Sequence, residues 1–321
     1  MENIILNDDC FNVFNKIPNK SVQLVCVDLP YGQTNCAWDC IIDLDKMWVE
    51  LKRIGKDNCQ FVFFCTVKFG NTLINSNPKW FRYDIIWEKS FTLGALLCNK
   101  MPLRKHEMIY IFNNCGEDDI DNCRNLEMRA YAEKVKKYID KPLKEIDLKV
   151  GSRGTHHFYR FKSSQFGLPT KATYNKLIEL FNIDKMEGFI PFEKLLFENI
   201  KMIYNPQKTE GKPYKNNNLK YKGEVYGNLK STPIDNKGDR FPISILKFGY
   251  DKEKIHPTQK PVALCEWIVK TYTNESDLVL DFTMGSGSTV VACINTKRRY
   301  IGIEKDKTIF ETAKKRIEEL V

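Results

Sequence analysis

Residues 25–32 read VCVDLPYG: an apolar run that stops at an acid, Asp28, then turns through Leu29, Pro30, Tyr31 and Gly32. A short apolar run bounded by a Pro/Gly turn predicts a buried strand with Asp28 at its carboxyl end. Ligands of open α/β sheets bind outside that edge, so the pattern puts a carboxylate at the mouth of a site. Pro30 stiffens the turn by fixing its own φ, and Tyr31 offers an aromatic face beside the acid. An acceptor next to a stacking ring suits a flat, amino-bearing ligand such as a nucleobase. Because an Asp-x-Pro-Tyr turn also follows strands that bind nothing, other residues must decide.

A second strand end of this kind lies near the far terminus, in LVLDFTMGSGSTVVACI at 278–294. Leu278 to Phe282, including Asp281, predict an apolar strand. Gly285, Ser286, Gly287 and Ser288 then make a tight turn, and Thr289 to Ile294 open a helix. Glycines there let a ligand approach the backbone, and the helix start offers unpaired N–H groups. The segment YIGIEKD ends a further strand at Glu304, about twenty residues after the first glycine, as a nucleoside-binding βαβ unit requires. Its carboxylate is placed to accept hydrogen bonds from ribose hydroxyls.

DLPYG at 28–32, FTMGSG at 282–287 and HPTQKP at 256–261 together resemble the catalytic, cofactor and flanking motifs of S-adenosylmethionine-dependent DNA amino-methyltransferases. The motif order, catalytic first and cofactor last, is similar to that of the circularly permuted beta class. The resemblance implies an α/β fold: a Rossmann-like methyltransferase sheet with helices on both faces and a mainly helical inserted target-recognition region. It implies S-adenosyl-L-methionine as cofactor and Asp28, Leu29, Pro30 and Tyr31 as catalytic residues, with Leu29 standing where the family usually has proline. The cofactor set it implies is Asp9, Asp28, His256, Thr258, Gln259, Lys260, Asp281, Phe282, Gly285, Ser286, Gly287, Ser288 and Glu304. Thr258, Gln259 and Lys260 are expected near the polar end of the methionine. Asp9 also reads as a helix N-cap, a compatible role.

The chain has 321 residues, 42% of them apolar, ample for a packed core. No apolar run is long enough to span a bilayer, and the start, MENIILNDD, is acidic where a signal peptide is basic. The expectation is a soluble protein of the cytoplasm, associated with the nucleoid. The 11 cysteines are scattered, none forms a Cys-x-x-Cys pair, and there are only 4 histidines. Reduced, mostly buried thiols and no metal site follow. Net charge is +9, with 13 Lys/Arg against 6 Asp/Glu between Lys201 and Lys260. That basic segment, interleaved with Tyr204, Tyr214, Tyr221, Tyr226 and Asn216 to Asn218, suits a polyanion, although a solvated lysine-rich loop has the same composition.

Three regions are expected: residues 1–112 as the first part of the catalytic core, 113–239 as the target-recognition region, and 240–321 as the cofactor-binding remainder. In the first, QTNCAWDCII reads as a mobile loop carrying Trp38 and Asp39. His106 and Glu107 read equally as pocket residues or as an ordinary strand entry. In the middle, LEMRAYAEKVKKYI is a helix by period, a shorter one starts at Pro142, and Thr170 caps a third, TKATYNKLIELF. Helix, short helix and the basic polar stretch SRGTHHFYRFKSSQF give the outline of a helix-turn-helix. Candidate DNA contacts are Arg153, His156, His157, Arg160, Lys162, Ser164, Lys212, Tyr214 and Lys215.

The expected reaction is methyl transfer to the exocyclic N6 amine of a flipped adenine in double-stranded DNA. Adenine is favoured by family association, because cytosine-N4 members more often carry Ser at the first motif position. N4-cytosine and RNA adenine methylation stand as alternatives. A nicotinamide or flavin oxidoreductase explains the glycine turn but neither DLPYG nor the basic insert, and a purely DNA-binding protein does not need the intact catalytic motif. The resemblance leaves a homodimer and a cognate restriction endonuclease open as further partners.

Overall fold

The computed structural model describes residues 2–32, 41–114, 126–151, 155–161, 166–192, 194–195, 203–216, 220–223, 227–230, 234–253, 255–256 and 259–320. In chain order the main elements are β1 (Ile4–Asn7), α1 (Cys10–Phe14), β2 (Val22–Asp28), α2 (Leu44–Ile54), β3 (Gly55–Cys65), α3 (Val67–Ser76), β4 (Phe81–Leu93) and β5 (Arg104–Asn113). Then come α4 (Leu126–Ile139), α5 (Leu143–Val150), α6 (Lys171–Phe181), β6 (Ile245–Lys247), α7 (Val262–Tyr272), β7 (Leu278–Asp281), α8 (Ser288–Asn295), β8 (Arg299–Glu304) and α9 (Lys307–Glu318). Trp38, Asp39 and the acidic linker at 115–122 lie outside the described residues.

The strands form one eight-stranded sheet in the order β1-β8-β7-β2-β3-β5-β4-β6. All neighbours are parallel except β5, which runs against both β3 and β4. Its interior strands are apolar without alternation because both faces are covered. Along β2, Val25 and Val27 face the cluster built with α1, α2 and α3, while Leu24 and Cys26 face the one built with α7 and α8. The terminal helix α9 lays Phe310, Ala313 and Ile317 on Val290 and Val291 of α8.

The position of the site follows from this topology. β2 and β7 lie side by side, but β2 continues through α2 to β3 while β7 continues through α8 to β8 on the other side. This is a topological switch point, where the two chain directions part and leave a crevice at the carboxyl edge. Asp28 and the turn after Asp281 both open into it.

The insert is rooted at the opposite edge. Because β5 is reversed, the chain leaves the sheet at its amino edge after Asn113, and because β6 is parallel to β4 it also returns there. Helices α4, α5 and α6 surround a core of their own that includes Tyr131, Ile146, Phe158, Phe166, Tyr174 and Leu177. The Tyr131 and Tyr174 hydroxyls meet at 2.6 Å, and Tyr174 donates to the Ile190 carbonyl at 2.7 Å. Pro142 and Thr170 stand at the starts of α5 and α6, and the Thr170 hydroxyl accepts from the Thr173 N–H at 3.2 Å. The basic polar stretch contributes turns over 155–161 and no helix there. Further on, three short two-stranded ladders pair Thr209–Glu210 with Asp239–Arg240, Tyr214–Asn216 with Ile234–Asn236, and Lys220–Gly223 with Gly227–Lys230. Among the described residues no disulfide occurs, no group of side chains is arranged to hold a metal ion, and no helix is long and apolar enough to cross a membrane.

Candidate active site

A single cleft of about 970 Å³ runs along the carboxyl edge from Asp9, Phe11 and Ile309, past Gly285 and Glu304, to Asp28 and Tyr31, and on to Trp87, Phe91 and Tyr250. A hollow of about 50 Å³ adjoins it beneath Asp28, between the glycine turn and the segment holding His256, Gln259 and Lys260. The main volume lies at the top of the range for small-molecule sites, enough for a nucleoside-sized ligand with a second flat group beside it.

Four charged side chains form the centre. Lys260 Nζ is hydrogen-bonded to Asp28 Oδ2 and lies 3.1 Å from Glu107 Oε1, while Lys89 Nζ lies 2.7 Å from Glu107 Oε2. Lys89 is buried and Lys260, Glu107 and Asp28 are partly buried, so two cations compensate two carboxylates that are largely withdrawn from water. Tyr31 adds its hydroxyl, which is within donating distance of Asp28 Oδ1 (2.5 Å) and of the Phe64 carbonyl (3.0 Å), and its ring packs 5.4 Å from that of Phe69. Burial pushes the Asp28 carboxyl above its ordinary range; the Lys260 ammonium opposes this and the Glu107 charge adds to it. Glu107 is also penalised by burial, yet its two ammonium partners prevail and hold it below the usual carboxylate range. Burial works against the Lys260 cation too, but Asp28 and Glu107 raise it above the ordinary lysine value. Burial lowers His256, in the same segment, so its imidazole is neutral at neutral pH.

The glycine turn lies across the crevice. Gly285 adopts φ 53° and faces open space, and its N–H donates to Glu304 Oε2 at 2.9 Å. Glu304 Oε1 accepts from the Asp306 N–H at 2.8 Å, so two backbone donors aim this carboxylate along the cleft wall. Burial pushes Glu304 upward. Gly287 differs: at φ 77°, the place of its absent Cβ is 3.1 Å from Ile317 Cδ1 of α9, so it serves close packing behind the turn. Asp281, at the end of β7, lines the small hollow, accepts from the Thr283 N–H at 3.3 Å, and is pushed up to about 7 by burial. The Thr283 hydroxyl donates to the Asp28 carbonyl at 3.0 Å, tying the two strand ends together.

Other residues singled out by sequence are distributed as follows. Leu29, Pro30, Phe282 and Asp9 line the cleft; Asp9 also caps α1, accepting from the Phe11 N–H at 3.0 Å. Ser286 and Ser288 line the small hollow, and the Ser288 hydroxyl donates to the Lys260 carbonyl at 2.7 Å. Gln259 is buried and shapes its own loop, donating to Asp251 at 2.8 Å and accepting from the Ile255 N–H at 3.0 Å. His106 points away from the centre and is exposed, unlike its neighbour Glu107. His156 pairs with Asp147 at 2.6 Å, His157 and Arg160 stand in the turns over 155–161, Tyr214 lies under the Arg240 guanidinium at 4.8 Å, and Lys215 meets Asp235 at 3.4 Å. The Lys212 carbonyl accepts from Arg240. Thr258, Arg153, Lys162 and Ser164 lie outside the described residues.

Sequence reasoning notes the tryptophan, acid and lysine of YDIIWEKS at 83–90 as similar to a family strand, but gives no site role to Trp87, Lys89, Phe91, Tyr250 or Asp251. The signal for the first two was the WEK triplet at 87–89, in which alternation along β4 sends Trp87 and Lys89 inward together. Tyr250 stacks on Phe91 at 4.8 Å and only the folded sheet brings these two together.

Comparison with known proteins agrees with this architecture. Residues 22–315 match the family model described as DNA methylase (N6_N4_Mtase). The Type II methyltransferase M.HpaI of Haemophilus parainfluenzae is 25% identical over 214 residues, 64% of this chain and 65% of that protein. The Type II methyltransferase M.BglII of Bacillus subtilis is 35% identical over 109 residues, 34% of this chain and 29% of that protein. The matches thus span less than two thirds of either relative. Among solved structures, the M1.HpyAVI–SAM complex superposes with a TM-score of 0.50 at 20% identity, covering 97% of this chain and 98% of that one, a likeness of fold. The family match takes in all the strands of the sheet but β1, together with Asp28, Lys260 and the glycine turn, and the chain belongs to the N6/N4 DNA methylase family.

Proposed function

We propose that the protein transfers a methyl group from S-adenosyl-L-methionine to an exocyclic base amine in double-stranded DNA, and that the base is adenine, at N6. The observation that carries this reading is the continuity of one cleft from the Gly285/Glu304 wall to the Asp28/Tyr31 corner. The first part suits a nucleoside: an aimed carboxylate for ribose hydroxyls, a glycine without side-chain obstruction, and Phe11 and Ile309 as apolar walls for a base. Asp9, His256, Gln259, Asp281 and the 285–288 turn complete the cofactor set, and S-adenosylmethionine as its occupant is supported by the likeness to the M1.HpyAVI–SAM complex.

Bound there, the cofactor supplies an electrophilic methyl on a sulfonium. The chain's residues act on the other partner. An exocyclic amine is a poor nucleophile because its lone pair is delocalised into the ring. Asp28 accepts one amine hydrogen and the Leu29 carbonyl the other, which turns the lone pair toward the methyl. Tyr31 holds the base after it leaves the stack, and Trp87, Phe91 and Tyr250 wall the far side. Asp28 orients and polarises the amine, while positioning and alignment supply most of the rate. Lys260 gives way from Asp28 when the amine arrives and keeps its contact with Glu107. The insert, residues 113–239, reads sequence by reaching around the sheet from its amino edge, with His156, His157 and Arg160 among its contacts. The names of the relatives, Type II methyltransferases, favour a partner restriction endonuclease.

The test is methyl transfer from labelled S-adenosylmethionine to mixed-sequence duplex DNA, with product nucleosides separated and Asp28→Ala alongside. N6-methyladenosine that vanishes in the variant supports reaction, base and residue together. Methylcytosine overturns the base, and transfer to RNA alone overturns the substrate.

A further inference from the structure

We infer that the hairpin joining β4 to β5 is a wedge that enters the DNA duplex beside the departing nucleotide, its apolar tip replacing lost base stacking and its cations holding the flanking phosphates. The inference rests on the DNA reading above and adds a surface that neither the motifs nor the insert supplies. Every residue from Ser90 to His106 is exposed, in the stretch SFTLGALLCNKMPLRKH. Leu96 is 99% exposed and Met101 55%, with Leu97 and Leu103 beside them. Large apolar side chains gathered on one projecting element call for a partner, unlike isolated surface leucines.

The tip has a fixed shape. Gly94, at φ 90°, turns the chain into a 3₁₀ turn over Ala95–Leu97, and the Leu97 and Met101 N–H groups donate to the Gly94 and Leu97 carbonyls at 2.8 and 3.0 Å. The hairpin's base is equally placed: Phe91 stacks on Tyr250 at 4.8 Å with 21° between the rings, and Leu93 pairs with Arg104. A preformed apolar wedge is the device by which proteins unstack a base step.

Position and charge choose the occupant. β4 ends at the carboxyl edge, and Phe91 and Leu93 line the same cleft as Asp28, so the tip stands on the rim over which a base must pass. The stretch contains Lys100, Arg104 and Lys105 and no acid. A second copy of the chain packing hairpin to hairpin about a two-fold axis would set these cations against their own images. A duplex offers phosphates to the cations and base faces to the leucines.

The full-length chain would be compared with Leu96→Ser/Leu97→Ser and with Lys100→Gln/Arg104→Gln. Three quantities are read for each: S-adenosylmethionine binding by calorimetry, affinity for mixed-sequence duplex across a salt series, and initial methylation rate on unmethylated genomic DNA. The polar tip should bind mixed duplex within about twofold of the parent, since non-specific binding is electrostatic, and methylate about tenfold or more slowly. The charge variant should lose duplex affinity and lower the salt slope by about one to two. Both should bind S-adenosylmethionine as the parent does. Parental binding and rates in both variants overturn the proposal. So does a photoreactive side chain at position 96 that links protein to protein and not to DNA. A parent chain that methylates no duplex instead overturns the functional reading, a result seen without any variant.

Discussion

Lys260 reaches Asp28 across 232 residues of sequence, and from the same atom it lies 3.1 Å from Glu107. The contact joins the segment before α7 to the end of β2, so the residue expected beside the cofactor's polar end also neutralises the acid proposed to receive the target base. Replacing it by Met strands the Asp28 carboxylate, and because that side chain is 28% exposed the loss falls below the about 3–5 kcal/mol of breaking a fully buried pair. Without the ammonium, Asp28 moves further above its ordinary range, and its ionised form is reached only at higher pH. Lys260→Met should therefore shift the acid limb of kcat/KM upward and lower the urea midpoint, while Lys260→Arg restores the limb in part. An unmoved acid limb in Lys260→Met would refute the assignment.

Tyr31 carries two separable contributions, a ring at the cleft and a hydroxyl 2.5 Å from Asp28. Hydrogen bonds to charged groups contribute about 1.5–3 kcal/mol, and base–aromatic stacking about 1–3 kcal/mol. Tyr31→Phe should lose activity more at pH 6 than at pH 8, because the hydroxyl favours ionised Asp28. Tyr31→Ala should add a rise in KM for DNA at both pH values. Equal loss at both pH values in Tyr31→Phe would separate the hydroxyl from Asp28's protonation.

Much of this site was legible in the sequence because it depends on local patterns. The apolar run before Asp28 and the strand, glycine turn and acid from Leu278 to Glu304 each specify an element and its end within a few residues. What was not legible depends on contacts between distant segments. Lys89 reads as a surface lysine in a strand until the reversal of β5 lays Glu107 beside it. The two glycines of GSG look alike in sequence, and α9 alone separates them by packing Ile317 behind Gly287. The apolar hairpin at 91–103 carries no motif of its own in the sequence, since its projection beyond the sheet depends on where pairing between β4 and β5 gives out.

Asp281 predicts a pH dependence of stability. Its carboxyl titrates near 3.8 in the unfolded chain and at about 7 in the folded one, raised by burial. Between those values the unfolded state binds fewer protons, so its contribution to stability falls as pH rises from about 4 to about 7 and then levels. The full span corresponds to at most about 4 kcal/mol. Asp281→Asn keeps an oxygen for the Thr283 N–H and carries no charge. It should match the parent near pH 4 and exceed it in urea midpoint at pH 7.5, and parallel stability curves for the two proteins across this range would exclude the buried charge as the cause.

The glycine turn should divide into two phenotypes. An alanine at 285 meets no atom within 4 Å and projects into the cleft wall, so Gly285→Ala takes space from the cofactor. The left-handed backbone adds about 1–2 kcal/mol of strain. At 287 the same strain is joined by the contact 3.1 Å from Ile317, which α9 must relieve by shifting, at a further cost of about 1–3 kcal/mol. Calorimetry with S-adenosylmethionine and urea unfolding should therefore rank the two variants in opposite orders: Gly285→Ala worse for cofactor affinity, Gly287→Ala worse for stability. A common order in both measurements would mean that the two glycines serve one function, and would withdraw the cofactor wall from Gly285.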